Sequence, residues 1–331
     1  MSFDEKFYRT AENEINARRA GNERVLAANE REIKQKFPEI YALNRSLAGT
    51  TGKLFRLINE HKSKEEFEAA FAELEAENLR LQTQLRQSLV RMGYAPDYLD
   101  LHYSCSLCRD TGVYDGRRCE CFMEAVKRAA AADLNRSSPL NLSDFSDFSL
   151  MYYDDKQITP MGATAREIMA ENLDYCRNYA ENFHLPCDGI LMRGRTGLGK
   201  THLSLSIAGV VINKGYSVIY GSAPDLFRKA EQEHFGREDG NTVPMLMDSD
   251  LLILDDIGAE FESKFYSSLF YNIINNRMNA AKPTIVSTNL EISELITRYG
   301  ERTVSRLATM DELIFAGTDV RLQRRTGGIK N

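Results

Sequence analysis

Residues 189–202, GILMRGRTGLGKTH, decide the fold of the domain that contains them. They include the phosphate-loop pattern G-x-x-x-x-G-K-[ST], in which glycines let backbone N–H groups approach a polyphosphate. The apolar run 190–192 predicts a buried strand before the loop, and a helix is predicted to begin at Lys200. Lys200 is expected to reach the β- and γ-phosphates, and the Thr201 hydroxyl to hold Mg²⁺. The predicted nucleotide-binding residues are Gly194, Arg195, Thr196, Gly197, Leu198, Gly199, Lys200 and Thr201. The alternative is a glycine-rich turn that matches the pattern by chance.

Two further predicted strands downstream of the loop end in polar residues. The run 251–254 is followed by Asp255 and Asp256, and the run 284–287 leads to Asn289. Because parallel strands end beside the phosphate loop, Asp255 is expected to hold Mg²⁺ through water and Asp256 to orient the attacking water. The Asn289 amide is predicted to touch the γ-phosphate and that water, although asparagine after a strand is also an ordinary turn residue. Strands alternating with helices predict an α/β fold with a parallel sheet flanked by helices.

The composition sets broad limits on the whole chain. Its 331 residues, 43% of them hydrophobic, suggest two domains with room for a third small module. No apolar run is long enough to cross a membrane, and the N-terminus lacks a signal-peptide pattern, so we expect a cytoplasmic protein. A net charge of −6 argues against wholesale polyanion binding but leaves room for a local basic groove.

Residues 1–95 have the composition of helices, and breaks at Pro38 and at 61–63 predict three of them. Positions in the third helix follow heptad spacing: Phe67, Phe71, Leu74, Asn78, Leu81, Leu85, Ser88 and Met92. The seam indicates a coiled coil or helical hairpin. It either packs only against the two preceding helices or forms a protein-docking arm in which Asn78 fixes the register.

Four cysteines cluster in the segment that follows. Cys105 and Cys108 form a C-x-x-C pair, Cys119 and Cys121 form a C-x-C pair, and glycine-containing turns lie between them. Four thiolates suit a closed structural zinc site, with His102 as a less favoured substitute ligand. A redox dithiol is the competing interpretation, but the thioredoxin-like setting is absent. Cys176 and Cys187 have no partner at metal spacing and are expected to be buried or inert.

These patterns predict four regions. A helical partner-docking region covers 1–95, a four-cysteine zinc module 96–125, a linker with an alanine-rich helix 126–150, and the nucleotide-binding ATPase domain 151–331.

The segments GRTGLGKTH, LLILDDIGAE, KPTIVSTNL and ERTVSRL together resemble those of the DnaC/DnaI-type replicative helicase loaders, AAA+ ATPases related to the IstB transposition helper. The resemblance covers about residues 140–325 of the chain, and the cysteine segment is similar to the zinc module of DnaI-type loaders. It implies an AAA+ sheet with Asn289 as sensor 1. It also implies an arginine finger on the box VII helix, with Arg306 favoured over Arg302. Asp256 stands where many AAA+ enzymes have glutamate, so slow hydrolysis is expected. The chain ends soon after Arg321, so no helical lid with a sensor 2 arginine is expected.

The function implied by this resemblance is an ATP-dependent loader that binds the hexameric replicative helicase and delivers it onto single-stranded DNA during replication initiation. Its cofactors are ATP, Mg²⁺ and Zn²⁺, and its subunits self-assemble through the AAA+ interface. Basic and aromatic residues in 227–237 and the tail 321–325 are candidates for the DNA path. Two alternatives remain: an IstB-like transposition helper acting on duplex DNA, and an ATP-regulated adaptor without significant hydrolysis.

Overall fold

The computed structural model describes residues 3–60, 63–136 and 141–325. Two compact units divide the chain: one is Glu12–Phe122, and the other contains the described residues outside that range. Among the described residues, no helix combines the length and the apolar character needed to cross a bilayer.

The N-terminal elements are mostly helices. They are α1 (Glu5–Lys36), α2 (Pro38–Ala48), α3 (Thr50–Glu60) and α4 (Lys64–Arg91), followed by the short antiparallel strands β1 (Val113–Tyr114) and β2 (Arg117–Arg118). Pro38 begins α2 and Ser63 Oγ accepts a hydrogen bond from the Glu66 amide at the start of α4. The prediction of three helices was wrong in number. The expected second helix is divided at Gly49, whose amide bonds back to Arg45 while Thr50 begins a new helix. The remainder of the second predicted break, residues 61 and 62, lies outside the described residues.

The heptad seam of α4 lies against its own neighbours. Helix α4 packs on α2 and α3, and Leu85 is buried while Leu74 and Leu81 are half-buried. Asn78 Nδ2 donates to Thr50 Oγ1 at 2.9 Å, which pairs the middle of α4 with the start of α3. Phe71, the second position of the seam, and Met92, its last, remain exposed, whereas Phe67 is half-buried. Local packing therefore accounts for the centre of the seam, and Phe71 and Met92 are open to another molecule.

Glu32 on α1 predicts how this unit responds to acid. Its carboxylate accepts hydrogen bonds from Lys36, Tyr94 and Tyr98, each at 2.8 Å, and these lower the pKa of Glu32 to about 2. Because the folded-state pKa lies below the unfolded value, the stabilisation is present above about pH 4.5 and is lost as the pH falls toward about 2. We expect Glu32→Gln to destabilise the unit at neutral pH and to make its stability depend less on pH in the acid range. Circular dichroism measures both effects by following the unfolding of the helices. Exposed Glu39→Gln is the control, and identical acid midpoints for Glu32→Gln and the wild type would contradict the prediction.

The other unit is built on a five-stranded parallel sheet. Its strands are β3 (Ile190–Arg193), β4 (Val218–Ser222), β5 (Leu251–Ile257), β6 (Thr284–Thr288) and β7 (Asp311–Ile314), in the order β4-β5-β6-β3-β7. Its helices are α5 (Glu120–Arg136), α6 (Ala165–Glu181), α7 (Lys200–Asn213), α8 (Ala223–His234), α9 (Thr242–Asp248), α10 (Lys264–Asn279), α11 (Ile292–Tyr299), α12 (Glu301–Leu307) and α13 (Val320–Arg325). The phosphate-loop strand β3 lies between β6 and β7. The predicted parallel sheet flanked by helices is confirmed.

Both faces of the sheet are buried, which explains why its strands are continuous apolar runs rather than alternating ones. In β5, Leu252 and Leu254 face a core that includes side chains of α8, α9 and α10. Leu251 and Ile253 face the opposite core, with α6 and α7. Successive side chains of a strand point to opposite faces, so one short apolar run supplies both cores.

The outer edge of β4 is paired with a side chain. Asn135 Nδ2 donates to the Val218 carbonyl at 2.7 Å, and Asn135 Oδ1 accepts from the Tyr220 amide at 3.0 Å. The Asn135 side-chain amide thus makes the hydrogen bonds that a neighbouring strand would make. Asn135 lies within the segment 126–150 that was predicted as a linker with a helix, and this part of it belongs to α5 and to the sheet edge.

Candidate functional site

The phosphate loop joins β3 to α7, and the helix begins at Lys200 as predicted. Lys200 is buried, and its Nζ donates to the carbonyl oxygens of Gly194 at 2.6 Å and Arg195 at 3.0 Å. Burial lowers the pKa of Lys200. Gly199 has φ +93°, and a Cβ at this position would lie 2.7 Å from the Phe148 ring. Glycine is therefore required here both by the left-handed backbone and by the close approach of Phe148.

The strand ends supply a set of oxygen ligands beside the loop. Thr201 Oγ1 donates to Asp255 Oδ2 at 2.8 Å, and Ser287 Oγ donates to Asp255 Oδ1 at 2.6 Å. Burial raises the pKa of Asp255, and the two hydroxyl hydrogen bonds oppose that shift. A buried carboxylate in contact with a hydroxyl is the hard oxygen chemistry that Mg²⁺ prefers. Thr201 and Asp255 fit the predicted magnesium site, and Ser287, which sequence patterns missed, orients Asp255 through its hydrogen bond.

Asp256 differs from Asp255 in its surroundings. It is exposed, lines the cavity beside the loop and has φ +56°, at an irregularity in the pairing of β5 with β6. Its backbone amide donates to Ser287 Oγ at 2.9 Å. The bulge turns Asp256 away from the core while Asp255 stays buried. The two adjacent carboxylates therefore occupy different environments, as two separate roles require.

Asn289 lies directly after β6, exposed, at the carboxyl end of a strand that is paired with both β3 and β5. It is not among the residues that line the cavity beside the phosphate loop. Its sensor role stays a prediction.

A cavity of about 250 Å³ opens beside the phosphate loop. One wall is the segment 143–153. In this segment the rings of Phe148 and Tyr153 stack with their centres 5.7 Å apart, and the Tyr153 hydroxyl donates to the Leu198 carbonyl at 2.9 Å. Arg321 and Arg324 of α13 also line the cavity. The segment 143–153 was predicted only as the end of a linker and the start of a domain. The structure makes it the apolar wall of the candidate nucleotide pocket.

The tail arginines contribute to this pocket. The Arg324 guanidinium lies 5.1 Å from the centre of the Tyr152 ring, and Arg321 lines the same cavity. Arg324 was predicted as part of a DNA path, but its described contacts are at the nucleotide cavity. The expectation that the chain has no helical lid with a sensor 2 arginine stays a prediction, and α13 brings Arg321 and Arg324 to the cavity beside the phosphate loop. The side chain of Arg325 lies outside the described residues.

Glu260 is buried at the centre of a polar cluster that no sequence pattern predicted. Its Oε2 accepts from the Gly258 amide at 3.0 Å, and its Oε1 accepts from the Tyr299 hydroxyl. Arg298 donates to the Glu260 backbone carbonyl, and its Nε lies 3.6 Å from Glu260 Oε1. The loop after β5 is thereby tied to the end of α11, directly before α12.

The two candidate finger arginines on α12 have different contacts. Arg306 Nε donates to Asn275 Oδ1 at 2.8 Å, and its guanidinium lies 4.8 Å from the Tyr271 ring centre. Arg302 is exposed. Arg306 is therefore held against α10 of its own chain, whereas the Arg302 side chain faces solvent. Neither observation tests which of them acts as a finger.

The predicted DNA segment 227–237 divides into a buried and an exposed part. Phe227 is fully buried in the core, so the prediction that it stacks on a base was wrong. Phe235 is 57% exposed and packs against His234 and Phe265, with ring centres 5.0 and 5.8 Å apart. The Arg237 guanidinium lies 5.9 Å from the Phe235 ring. Only this end of the segment presents aromatic and cationic groups together.

The four predicted zinc ligands converge in the Glu12–Phe122 unit. Their sulfur atoms all lie within 4.8 Å of one another, with Cys105 to Cys119 at 3.8 Å and Cys108 to Cys121 at 3.5 Å. Four sulfurs about 2.3 Å from one zinc would be about 3.8 Å apart, so the cluster fits a tetrahedral site. His102 is exposed and its ring bonds the Asp97 carbonyl at 3.2 Å. Cys176 is buried and Cys187 half-buried, in agreement with the expectation for them.

Comparison with known proteins finds similarity over part of the chain. Residues 171–325 match the family model described as IstB-like ATP binding protein. The replicative helicase loader DnaC of Escherichia coli strain K12 is 30% identical over 139 residues, which are 41% of this chain and 56% of that protein. DnaC of Buchnera aphidicola subsp. Baizongia pistaciae is 28% identical over 134 residues. The chain thus spans about half the length of the curated relatives it matches.

Two solved structures each align with about half of this chain. The crystal structure of the DnaC helicase loader aligns with 52% of this chain and 98% of its own, at 25% identity and a TM-score of 0.44. The crystal structure of DnaI aligns with 54% of this chain and 89% of its own, at 19% identity and a TM-score of 0.43.

Proposed function

We propose, from the premise that residues 171–325 form an IstB-like ATP-binding domain, that this chain is a cytoplasmic ATPase that loads the replicative helicase onto single-stranded DNA. The observation that carries the proposal is the contact of Thr201, Asp255 and Ser287 beside a phosphate loop. The 30% identity to a helicase loader over 139 residues supports the choice of activity.

The loop and strand ends would divide the chemistry of hydrolysis between them. Lys200 exchanges its bonds to the loop carbonyls for phosphate oxygens, and Thr201 and Asp255 hold Mg²⁺, which neutralises charge on the β- and γ-phosphates. Asp256, which is exposed toward the cavity, orients the water, and its short side chain favours a slow reaction. Asn289 contacts the γ-phosphate from the end of β6. Phe148 and Tyr152 close over the base, and Arg321 and Arg324 add positive charge at the pocket mouth.

A neighbouring subunit would complete each site. Arg302 or Arg306 supplies the positive charge that stabilises the transition state, so a lone subunit hydrolyses ATP poorly. Binding of ATP then favours the assembled state only because the assembled state binds it more tightly than the free subunit does. The Glu260 cluster supports this coupling, since it ties the loop after Asp256 to the end of α11, which directly precedes the helix that carries both arginines.

Single-stranded DNA would bind at the exposed end of the 227–237 segment. Stacking of one base on an aromatic ring contributes about 1–3 kcal/mol, so we expect Phe235→Ala to weaken binding of a labelled oligothymidine about tenfold at constant salt. Fluorescence anisotropy measures this affinity. Phe55→Ala is the matched control, since Phe55 is 64% exposed and belongs to the other unit. Equal affinities for the two variants would remove Phe235 from the DNA path.

The helicase would bind the N-terminal helices. Phe55 and Ile58 of α3 are both more than half exposed, and they are the kind of apolar groups that a protein partner covers. We expect light scattering after size-exclusion chromatography to detect a complex of the full chain with the host replicative helicase in ATP. Phe55→Glu with Ile58→Glu should abolish it, whereas Val25→Glu, at an equally exposed site, should not. Absence of a complex with the wild type would refute the loader function.

The family model favours one alternative, a transposition helper of the IstB kind. It would form ATP-dependent filaments on duplex DNA and bind a transposase. Filament formation on duplex DNA, together with no helicase complex, would select it. An adaptor without significant hydrolysis would bind ATP, and the Asp256→Ala substitution would leave its function unchanged.

A further inference from the structure

Asp110 is a buried carboxylate in the middle of the cysteine segment. It is 1% exposed and has φ +55°, next to Arg109 with φ +51°. Left-handed backbone at two consecutive non-glycine residues is strained and is retained only where the surroundings determine it. The fold therefore holds Asp110 in place through specific contacts.

Both oxygens of Asp110 are bonded to the start of the cysteine segment. Oδ1 accepts from the Cys105 amide at 2.9 Å, and Oδ2 accepts from the Ser104 amide at 2.8 Å. These bonds close the turn that contains Cys105 and Cys108. The backbone of the first candidate ligand is thus oriented by a side chain that does not itself belong to the four-sulfur cluster.

The same carboxylate is bonded to α1. Asn22 Nδ2 donates to Asp110 Oδ2 at 2.9 Å, and Arg18 Nη1 lies 3.9 Å from Oδ1. Ile15 lies one helical turn before Arg18 on the same face of α1. A Cβ added at Gly112 would lie 3.7 Å from the Ile15 side chain, so the two residues are neighbours. Three positions on one face of α1 therefore contact the turn between the two cysteine pairs.

We infer that Asp110 is the positioning residue of the metal site and that it couples metal binding to the docking of α1. Residues that orient ligands from outside the coordination sphere typically change metal affinity by about 10–100-fold when replaced. Coupling between two sites is reciprocal, so α1 residues affect metal affinity and the metal affects the order of α1. The inference does not depend on the proposed ATPase or loader activity.

The test uses the full-length chain and Zn²⁺ in competition with a chromogenic chelator, and Co²⁺ as a spectroscopic probe of four-sulfur coordination. We expect Asp110→Asn to lower zinc affinity about 10–100-fold, because an amide cannot accept hydrogen bonds at both of its terminal atoms. We expect Asn22→Ala to lower it about tenfold, although residue 22 cannot be a ligand. Asn29→Ala is the control, since Asn29 is also on α1 and donates one hydrogen bond, to the Tyr98 carbonyl, away from the cysteines.

Two further readouts separate positioning from loss of fold. The Co²⁺ absorption of Asn22→Ala at saturation should match the wild type, which shows an intact ligand set held with lower affinity. Removal of zinc from the wild type should speed amide exchange in residues 15–22 more than in the α4 helix. Zinc affinity of Asn22→Ala equal to that of Asn29→Ala would overturn the coupling. A wild-type chain that binds less than one equivalent of Zn²⁺, or whose Co²⁺ complex lacks four-sulfur absorption, would overturn the whole inference.

Discussion

Lys200→Ala is expected to lower the rate of ATP hydrolysis by about 10²–10³-fold, the range seen when one charge-stabilising donor is removed from an active site. Lys200 is the cation at the centre of the loop, and its two bonds to loop carbonyls show that its ammonium already lies among the groups that surround the phosphates. ATP-dependent assembly should fall with hydrolysis, since both need the γ-phosphate to be bound. The hydrolysis rate is measured by the release of inorganic phosphate, and nucleotide affinity is measured separately.

The matched control is Lys156→Ala, which removes an exposed lysine outside the residues that line the cavity. It should hydrolyse ATP like the wild type. Retention of more than a tenth of the wild-type rate by Lys200→Ala would contradict the role of the loop. Thermal unfolding of both variants without nucleotide shows whether the fold is preserved.

Arg277→Met is expected to destabilise the sheet unit by about 3–5 kcal/mol, because several buried carbonyls would lose their donor. Arg277 is fully buried in α10. Its guanidinium donates to the carbonyls of Leu246 and Ser249, each at 2.8 Å, and of Pro283 at 2.6 Å, and to Thr284 Oγ1 at 2.9 Å. It therefore joins the end of α9 to the start of β6. Burial lowers the pKa of Arg277 to about 9, so the charge is retained at neutral pH.

Thermal unfolding should show the loss as a fall in Tm of about 10 °C, given about 2–4 °C per kcal/mol for a unit of this size. Arg277→Lys should recover only part of it, since one ammonium cannot reach groups on both sides as a planar guanidinium does. Arg228→Met is the control, because Arg228 is a largely exposed arginine paired with Asp225 on the surface. A Tm for Arg277→Met within a degree or two of that for Arg228→Met would contradict the prediction.

The parts of the nucleotide site that follow local sequence rules were predictable. The phosphate loop, the helix start at Lys200 and the buried run before Asp255 each depend on residues adjacent in the chain. A parallel sheet flanked by helices also followed from the alternation of strands and helices, whereas the order of its strands was not predicted. The exposure of Asp256 was not predictable, because it arises from a local bulge between two strands.

Contacts between distant segments were the part that sequence patterns missed. Ser287 reaches Asp255 across 32 positions of chain, and Arg324 reaches Tyr152 across 172. No local pattern distinguishes these residues from an ordinary strand serine or a solvated tail arginine. Likewise, nothing in the run around Phe227 and Phe235 indicates that one ring is in the core and the other is on the surface.

The pairing of Asn135 with β4 matters to anyone who works with the ATPase part alone. A fragment that starts at residue 151, where the motifs place the domain boundary, omits α5 and leaves the Val218 carbonyl and the Tyr220 amide exposed on a sheet edge. Bare edges of this kind recruit other chains and lead to aggregation. Insolubility of such a fragment would therefore reflect where it was cut rather than any property of ATP binding, and a clone for crystallisation should begin before α5.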